Sequence, residues 1–147
     1  MITKKSKYAI KALIYLAKQK ERKPVLIEEI SNEEKIPKKF LEAILLELRK
    51  AGILGSKKGK GGGYYLLKGA EEINMAEVLR LFDGPIALVP CVAHKYYEPC
   101  EECIDEITCP IREVFRIIRE QTVATLKDNS FSELLVKEKK LKRYRKD

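Results

Sequence analysis

The sequence predicts a mainly α-helical fold with one small β-hairpin, and two observations carry that prediction. Apolar residues recur at helical spacing in several separate segments. One stretch breaks the pattern. The basic, glycine-rich run Lys57-Lys58-Gly59-Lys60-Gly61-Gly62-Gly63 lies between two short apolar stretches, as the tip of a hairpin would.

Residues 6–20 carry Ile10, Leu13, Ile14 and Ala17 at helical spacing, with Tyr8, Ala12 and Leu16 widening the stripe. A polar break ends at Pro24, and a short helix over residues 27–34 follows with Ile27 and Ile30. Lys35-Ile36-Pro37 turns the chain. Pro37 suits the first turn of the next helix, where a missing N–H costs nothing. That helix runs to about residue 51. Phe40, Leu41, Ile44, Leu45 and Leu48 form its inner stripe, Lys38, Lys39, Glu42 and Lys50 its outer face, and Gly52 its stop. Residues 53–56 and 64–67 read as the two strands of the hairpin. Asn74 caps a helix through Phe82 that Gly84-Pro85 stops. Residues 86–108 read as irregular. Thr108 with Pro110 opens a long helix to about residue 127, its stripe being Ile111, Val114, Phe115, Ile118, Thr122, Thr125 and Leu126. Ser130-x-x-Glu133 is a capping box for a last helix over residues 131–135, which is expected to fray into a basic tail.

Helix, short helix, turn, helix and hairpin, in that order, make a winged helix-turn-helix, to which a long C-terminal helix is appended. The charge distribution suits a polyanionic partner. Residues 1–70 carry 17 Lys/Arg against 7 Asp/Glu, whereas residues 71–110 carry 2 against 9. Each cation placed on a phosphate releases condensed counterions. Lys57, Lys58 and Lys60 sit among glycines that let a backbone approach phosphates closely. A phosphate-binding nucleotide loop is the weaker reading of this run, because Gly-Lys occurs without the required spacing or its Ser/Thr. An enzyme is disfavoured, with a single histidine and no Ser/His/Asp order. No stretch approaches an apolar membrane span, and the N-terminus leads into an amphipathic pattern, so the expected location is the cytoplasm.

All four cysteines, Cys91, Cys100, Cys103 and Cys109, lie within 19 residues, in the spacing C-x8-C-x2-C-x5-C. Such crowding points to metal or redox chemistry rather than a disulfide scaffold. Four thiolates suit an iron–sulfur cluster or one zinc ion, and free thiols suit a redox sensor. Zinc ordinarily takes two C-x-x-C knuckles, and only Cys100-x-x-Cys103 is present. Glu98, Glu101, Glu102, Asp105 and Glu106 surround the thiols with negative charge that raises their pKa.

Three stretches resemble the bacterial repressor family that includes IscR, NsrR and CymR. They are Lys7-Tyr8-Ala9-Ile10-Lys11-Ala12-Leu13, then Ile36-Pro37-Lys38-Lys39-Phe40-Leu41-Glu42 leading into Leu48-Arg49-Lys50-Ala51-Gly52-Ile53-Leu54, and Ser56-Lys57-Lys58-Gly59-x-Gly61-Gly62-Gly63-Tyr64-x-Leu66. The resemblance implies a winged helix with a C-terminal dimerisation helix, acting as a homodimer on partly palindromic double-stranded DNA operators. It places Lys38, Lys39, Glu42 and Ala43 where the family reads bases. It places Lys58 where a wing arginine enters the minor groove. It further implies that Cys91, Cys103 and Cys109 hold an iron–sulfur cluster, 2Fe–2S ahead of 4Fe–4S. The family's variable fourth ligand would fall at Arg112, or at Lys7 or Tyr8, none of which serves, so Cys100 takes that place and His94 is the weaker candidate.

The expected division is residues 1–84 for DNA binding, 85–109 as a cysteine-rich sensor loop, and 110–147 as dimerisation helix and basic tail. The expected function is a dimeric transcriptional regulator, a repressor, controlled by that cluster. The alternative is a winged-helix repressor controlled by thiol redox, zinc, a metabolite or a protein partner.

Overall fold

The computed structural model describes residues 2–146. Six α-helices and one antiparallel hairpin follow in the order α1 (Lys4–Ala17), α2 (Ile27–Glu34), α3 (Lys38–Lys50), β1 (Leu54–Lys57), β2 (Gly63–Leu66), α4 (Met75–Asp83), α5 (Pro110–Asp128) and α6 (Phe131–Lys146), with single 3-10 turns between some of them.

The core is built from one face of each early helix. Ala9, Ala12, Leu13 and Leu16 of α1 meet Ile30 of α2 and Leu41, Ile44, Leu45 and Leu48 of α3, all at i, i+3, i+4 spacing. Ile53, Leu54 and Leu66 close it from the hairpin side. Helix α1 starts at Lys4, where the Thr3 side chain accepts the Ser6 N–H, and ends at Ala17, three residues before the expected stop. Pro37 is the residue before α3 rather than part of its first turn. Gly52 follows α3 at φ +76°, a conformation that L side chains rarely adopt, and so ends the helix as expected.

The hairpin pairs Leu54 with Leu66 and Lys57 with Gly63, so its tip is residues 58–62 and Lys57 belongs to the strand rather than the tip. The wing is also tied to the body. The Val25 N–H donates to the Tyr64 carbonyl at 2.9 Å and the Tyr64 N–H donates to the Val25 carbonyl at 2.8 Å. Gly63 permits that approach, for a Cβ there would lie 2.2 Å from the Val25 oxygen.

The C-terminal part departs from expectation in three ways. The cap of α5 is Cys109, whose Sγ accepts the Arg112 N–H at 3.4 Å, while Thr108 bonds Asp105 instead. The expected stripe of α5 divides over two faces. Phe115, Arg119, Val123 and Leu126 turn inward, whereas Ile111, Val114, Ile118, Thr122 and Thr125 are exposed. The expected short last helix instead runs through the basic tail to Lys146, because nothing in residues 136–146 interrupts it and Lys18–Glu138 and Lys142–Glu138 pairs hold its middle. Its first residue, Phe131, is fully buried in the same core as α1 and α3. The chain returns from α5 by pairing Asn74 with Ser130, and the Phe131 N–H donates to the Ile73 carbonyl at 2.9 Å. None of the helices is long and apolar enough to cross a membrane among the described residues.

Candidate functional site

Helix α3 presents a continuous outward face. Lys39, Glu42, Ala43, Leu46 and Lys50 fall at i, i+3, i+4, i+7 and i+11, and all are exposed. Lys38 lies at the N-terminal edge of that face, but its Nζ is held at 2.6 Å by the Glu28 carboxylate of α2. The pairing pushes the Lys38 pKa up and the Glu28 pKa down, each chiefly through the hydrogen bond between them. Phe40, expected inside, is 41% exposed and stands edge-on to the Tyr8 ring at 5.6 Å. One residue on the outward face escaped sequence reading. Leu46 is 43% exposed, between Ala43 and Lys50. Its position seven residues after Lys39 was the available signal. An apolar side chain on a groove-facing surface suits a thymine methyl.

Beyond α3, the hairpin carries Lys57, Lys58 and Lys60, all exposed. Among the described residues none of the three, nor Lys39, has a carboxylate within 4.0 Å. Their charges are therefore free for an external anion, whereas that of Lys38 is shared.

The four cysteines gather around the start of α5 with no disulfide between them. Cys91 is buried in a 3-10 turn, Pro90–Val92, and its carbonyl accepts from the Arg112 Nε at 3.2 Å. Arg112 thus links Cys91 to the Cys109-capped end of the helix. The Cys100 thiol is pushed up in pKa, first by Cys91, then by burial and a hydrogen bond to Cys91, with Cys103 and Cys109 adding to it. The Cys103 thiol is pushed up by burial first, then by Glu106, Cys109, Cys91 and Asp105. Two of the five flanking acids therefore act on Cys103 as the sequence suggests. Among the described residues no three His, Cys, Asp or Glu side chains converge closely enough to hold a metal ion. The donor set nonetheless fits a thiolate-bound metal group in kind, since it is four soft sulfur donors on one short stretch of chain, with Cys91, Cys103 and Cys109 all acting on Cys100. His94 stands apart from them, lining a cavity with Arg80, Lys95, Arg119 and Lys127.

A helix-turn-helix with an exposed polar α3 face and a cationic hairpin defines a winged-helix DNA-binding protein. The chain belongs to the Rrf2 family, whose model, described as an iron-dependent transcriptional regulator, matches residues 2–137. It is 49% identical over 118 residues to an Rrf2-like HTH-type transcriptional regulator of Rhodobacter capsulatus, covering 78% of this chain and 79% of that one. It is 33% identical over 103 residues to the HTH-type transcriptional regulator IscR of Photorhabdus laumondii, covering 70% of this chain and 63% of that one. Its fold is similar to CymR, titled the global cysteine regulator of B. subtilis, at a TM-score of 0.76 and 26% identity, over 91% of this chain and 95% of that one. The chain is therefore a transcriptional regulator and not an enzyme.

Proposed function

We propose that the protein is a homodimeric repressor of the cytoplasm whose hold on a partly palindromic operator is set at the cysteine loop. Lys38, Lys39, Glu42 and Ala43 read base edges in the major groove, and Lys57, Lys58 and Lys60 hold phosphates, with Lys58 at the minor groove. One observation carries the regulatory part. The thiols sit at the N-terminus of α5, the helix whose face of Ile111 (65% exposed), Val114 (56%) and Ile118 (38%) is uncovered in the single chain. Beside Ile118, Thr122 and Leu126 an apolar cavity of about 350 Å³ continues that face toward Leu79 and Leu88. A second copy of α5 suits such a surface. Whatever the thiols bind is thereby placed to shift the angle between the two DNA-reading units.

Cys91, Cys100, Cys103 and Cys109 would hold an iron–sulfur cluster. Bound there, it would supply a redox-active centre with its own charge. The chain's part is to position it. Cys109 presents its sulfur at a helix N-terminus, where it accepts the Arg112 N–H, and the Arg112 Nε donates to the Cys91 carbonyl from the same turn. The family's description as iron-dependent supports this reading. A second reading, control by thiol oxidation, draws on the similarity to CymR and on the lack of a converged three-ligand set among the described residues.

Anaerobic purification separates them. On the first reading the native protein carries iron and sulfide, Cys91→Ala and Cys109→Ala lose both, and operator affinity differs between loaded and stripped protein. If the native protein carries no iron, and affinity follows disulfide formation, the second reading holds. Ile118→Glu should yield monomers by sedimentation, and a dimeric variant would remove α5 as the interface.

A further inference from the structure

A second cavity, distinct from the cysteines, lies between α4, the segment after the Cys91 turn, and α5. It encloses about 480 Å³, which lies in the range of small-molecule pockets and well above the size of a single ion. Its charged lining is entirely basic: Arg80 from α4, Lys95 from the loop, and Arg119 and Lys127 from α5, with the His94 ring beside them. Three separate segments thus turn cations to one space, where like charges repel unless an anion joins them.

Arg119 makes this more than a basic patch. It lies on the inner face of α5, in line with Phe115 and Val123, and is only 9% exposed. Its Nε is buried with no hydrogen-bond partner. Among the described residues no carboxylate lies within 4.0 Å of Arg119, Arg80, Lys95 or Lys127. Asp83 lines the adjoining apolar cavity, to whose wall Arg119 also belongs, and it is engaged by Thr3. The buried Nε loses solvation that nothing among the described residues restores. The planar fork of Arg matches a carboxylate or phosphate through two parallel hydrogen bonds.

We propose that this cavity is an effector site for a small metabolite bearing two or more anionic oxyacid groups, with Arg119 gripping one group from the interior and Arg80, Lys95 and Lys127 holding the others at the rim. The ligand would tie α4, on the DNA-binding unit, to α5, so its occupancy would report on DNA binding without using a thiol. The site stands whether or not the cysteines bind metal.

The test is calorimetric titration of the full chain with citrate and, separately, with inorganic pyrophosphate, at constant ionic strength and with glycerol as the neutral control. The expected result is saturable binding of one anion per chain by at least one of the two, with the preferred probe telling carboxylate from phosphate chemistry. Arg119→Gln should weaken it at least tenfold. Lys95→Gln combined with Lys127→Gln, both at exposed positions, should also weaken it, which keeps the test sound if Arg119→Gln fails to fold. Linear, non-saturating heats with both anions, or equal affinity in both variants, would overturn the proposal. So would dissociation of a wild-type dimer by Arg119→Gln without any anion binding in the wild type, since Arg119 would then be pairing with a second copy.

Discussion

Replacing Gly63 with alanine tests how the wing is held. The residue sits at φ +136°, and an added Cβ would stand 2.2 Å from the Val25 oxygen and 2.4 Å from its carbonyl carbon. Ordinary van der Waals contact requires about 1 Å more, so either the wing or the Val25 segment must move. Moving it breaks the two Val25–Tyr64 hydrogen bonds. Those contribute about 1 kcal/mol each, and the unfavourable backbone adds about 1–3 kcal/mol, so Gly63→Ala should cost roughly 3–5 kcal/mol. Gly59→Ala is the control. It also has positive φ, +87°, but nothing lies within 4 Å of its Cβ, so only the conformational cost of about 1–2 kcal/mol applies. Urea unfolding of the two variants measures the difference, and hydrogen exchange at the Val25 and Tyr64 amides shows where it arises. Gly63→Ala should also weaken binding to unrelated DNA sequences, because the wing lysines lose their fixed position. If both variants are equally stable and the Val25 amide stays protected, the wing is not anchored as argued.

Phe131→Ala should destabilise the DNA-binding unit by about 3–5 kcal/mol in urea, since the ring is fully buried in the main core, where α6 packs on α1, and a loss below about 1 kcal/mol would place α6 outside that core. Glu28→Gln releases Lys38, and should tighten operator binding more than binding to unrelated DNA; an unchanged operator affinity would mean that Lys38 does not reach a base edge. Asp83 is pushed up by burial but more strongly down by hydrogen bonds from Thr3 and Ser6, so its folded-state pKa lies below 3.8. Its contribution is therefore present above that value and is lost as pH falls through the lower, folded one. The acid limb of a thermal-stability profile should flatten in Asp83→Asn, and an unaltered limb would refute the linkage.

Local chemistry made the N-terminal half legible. The turn at Lys35-Ile36-Pro37, the stop at Gly52, the glycine-rich tip and the Asn74 side-chain cap each act within a few residues of chain, and helical spacing alone separates the buried Leu41, Ile44, Leu45 and Leu48 from the exposed Lys39, Glu42 and Lys50. Phe40 misled because hydrophobicity says that a ring prefers burial, not that a neighbour exists to cover it; here Tyr8 covers one edge only. Leu46 was missed for the converse reason, being apolar in a helix rich in apolar residues although its position matches the polar face.

The rest was decided by packing between distant segments. Residues 136–146 are so polar that their pattern carries no helical stripe, and α6 is specified by Phe131 entering a core built more than 50 residues earlier. Periodicity identified α5 as amphipathic, yet it could not tell which of its apolar residues face the chain and which face outward, since Ile111 and Phe115 differ only by what stands opposite them. Sequence spacing brought the cysteines to one loop, but their mutual distances depend on how that loop folds over α5. Arg119 reads in the sequence as one more surface cation. Only the approach of α4 and the Cys91 turn to α5 removes it from water, because burial is a property of neighbours and not of the residue itself.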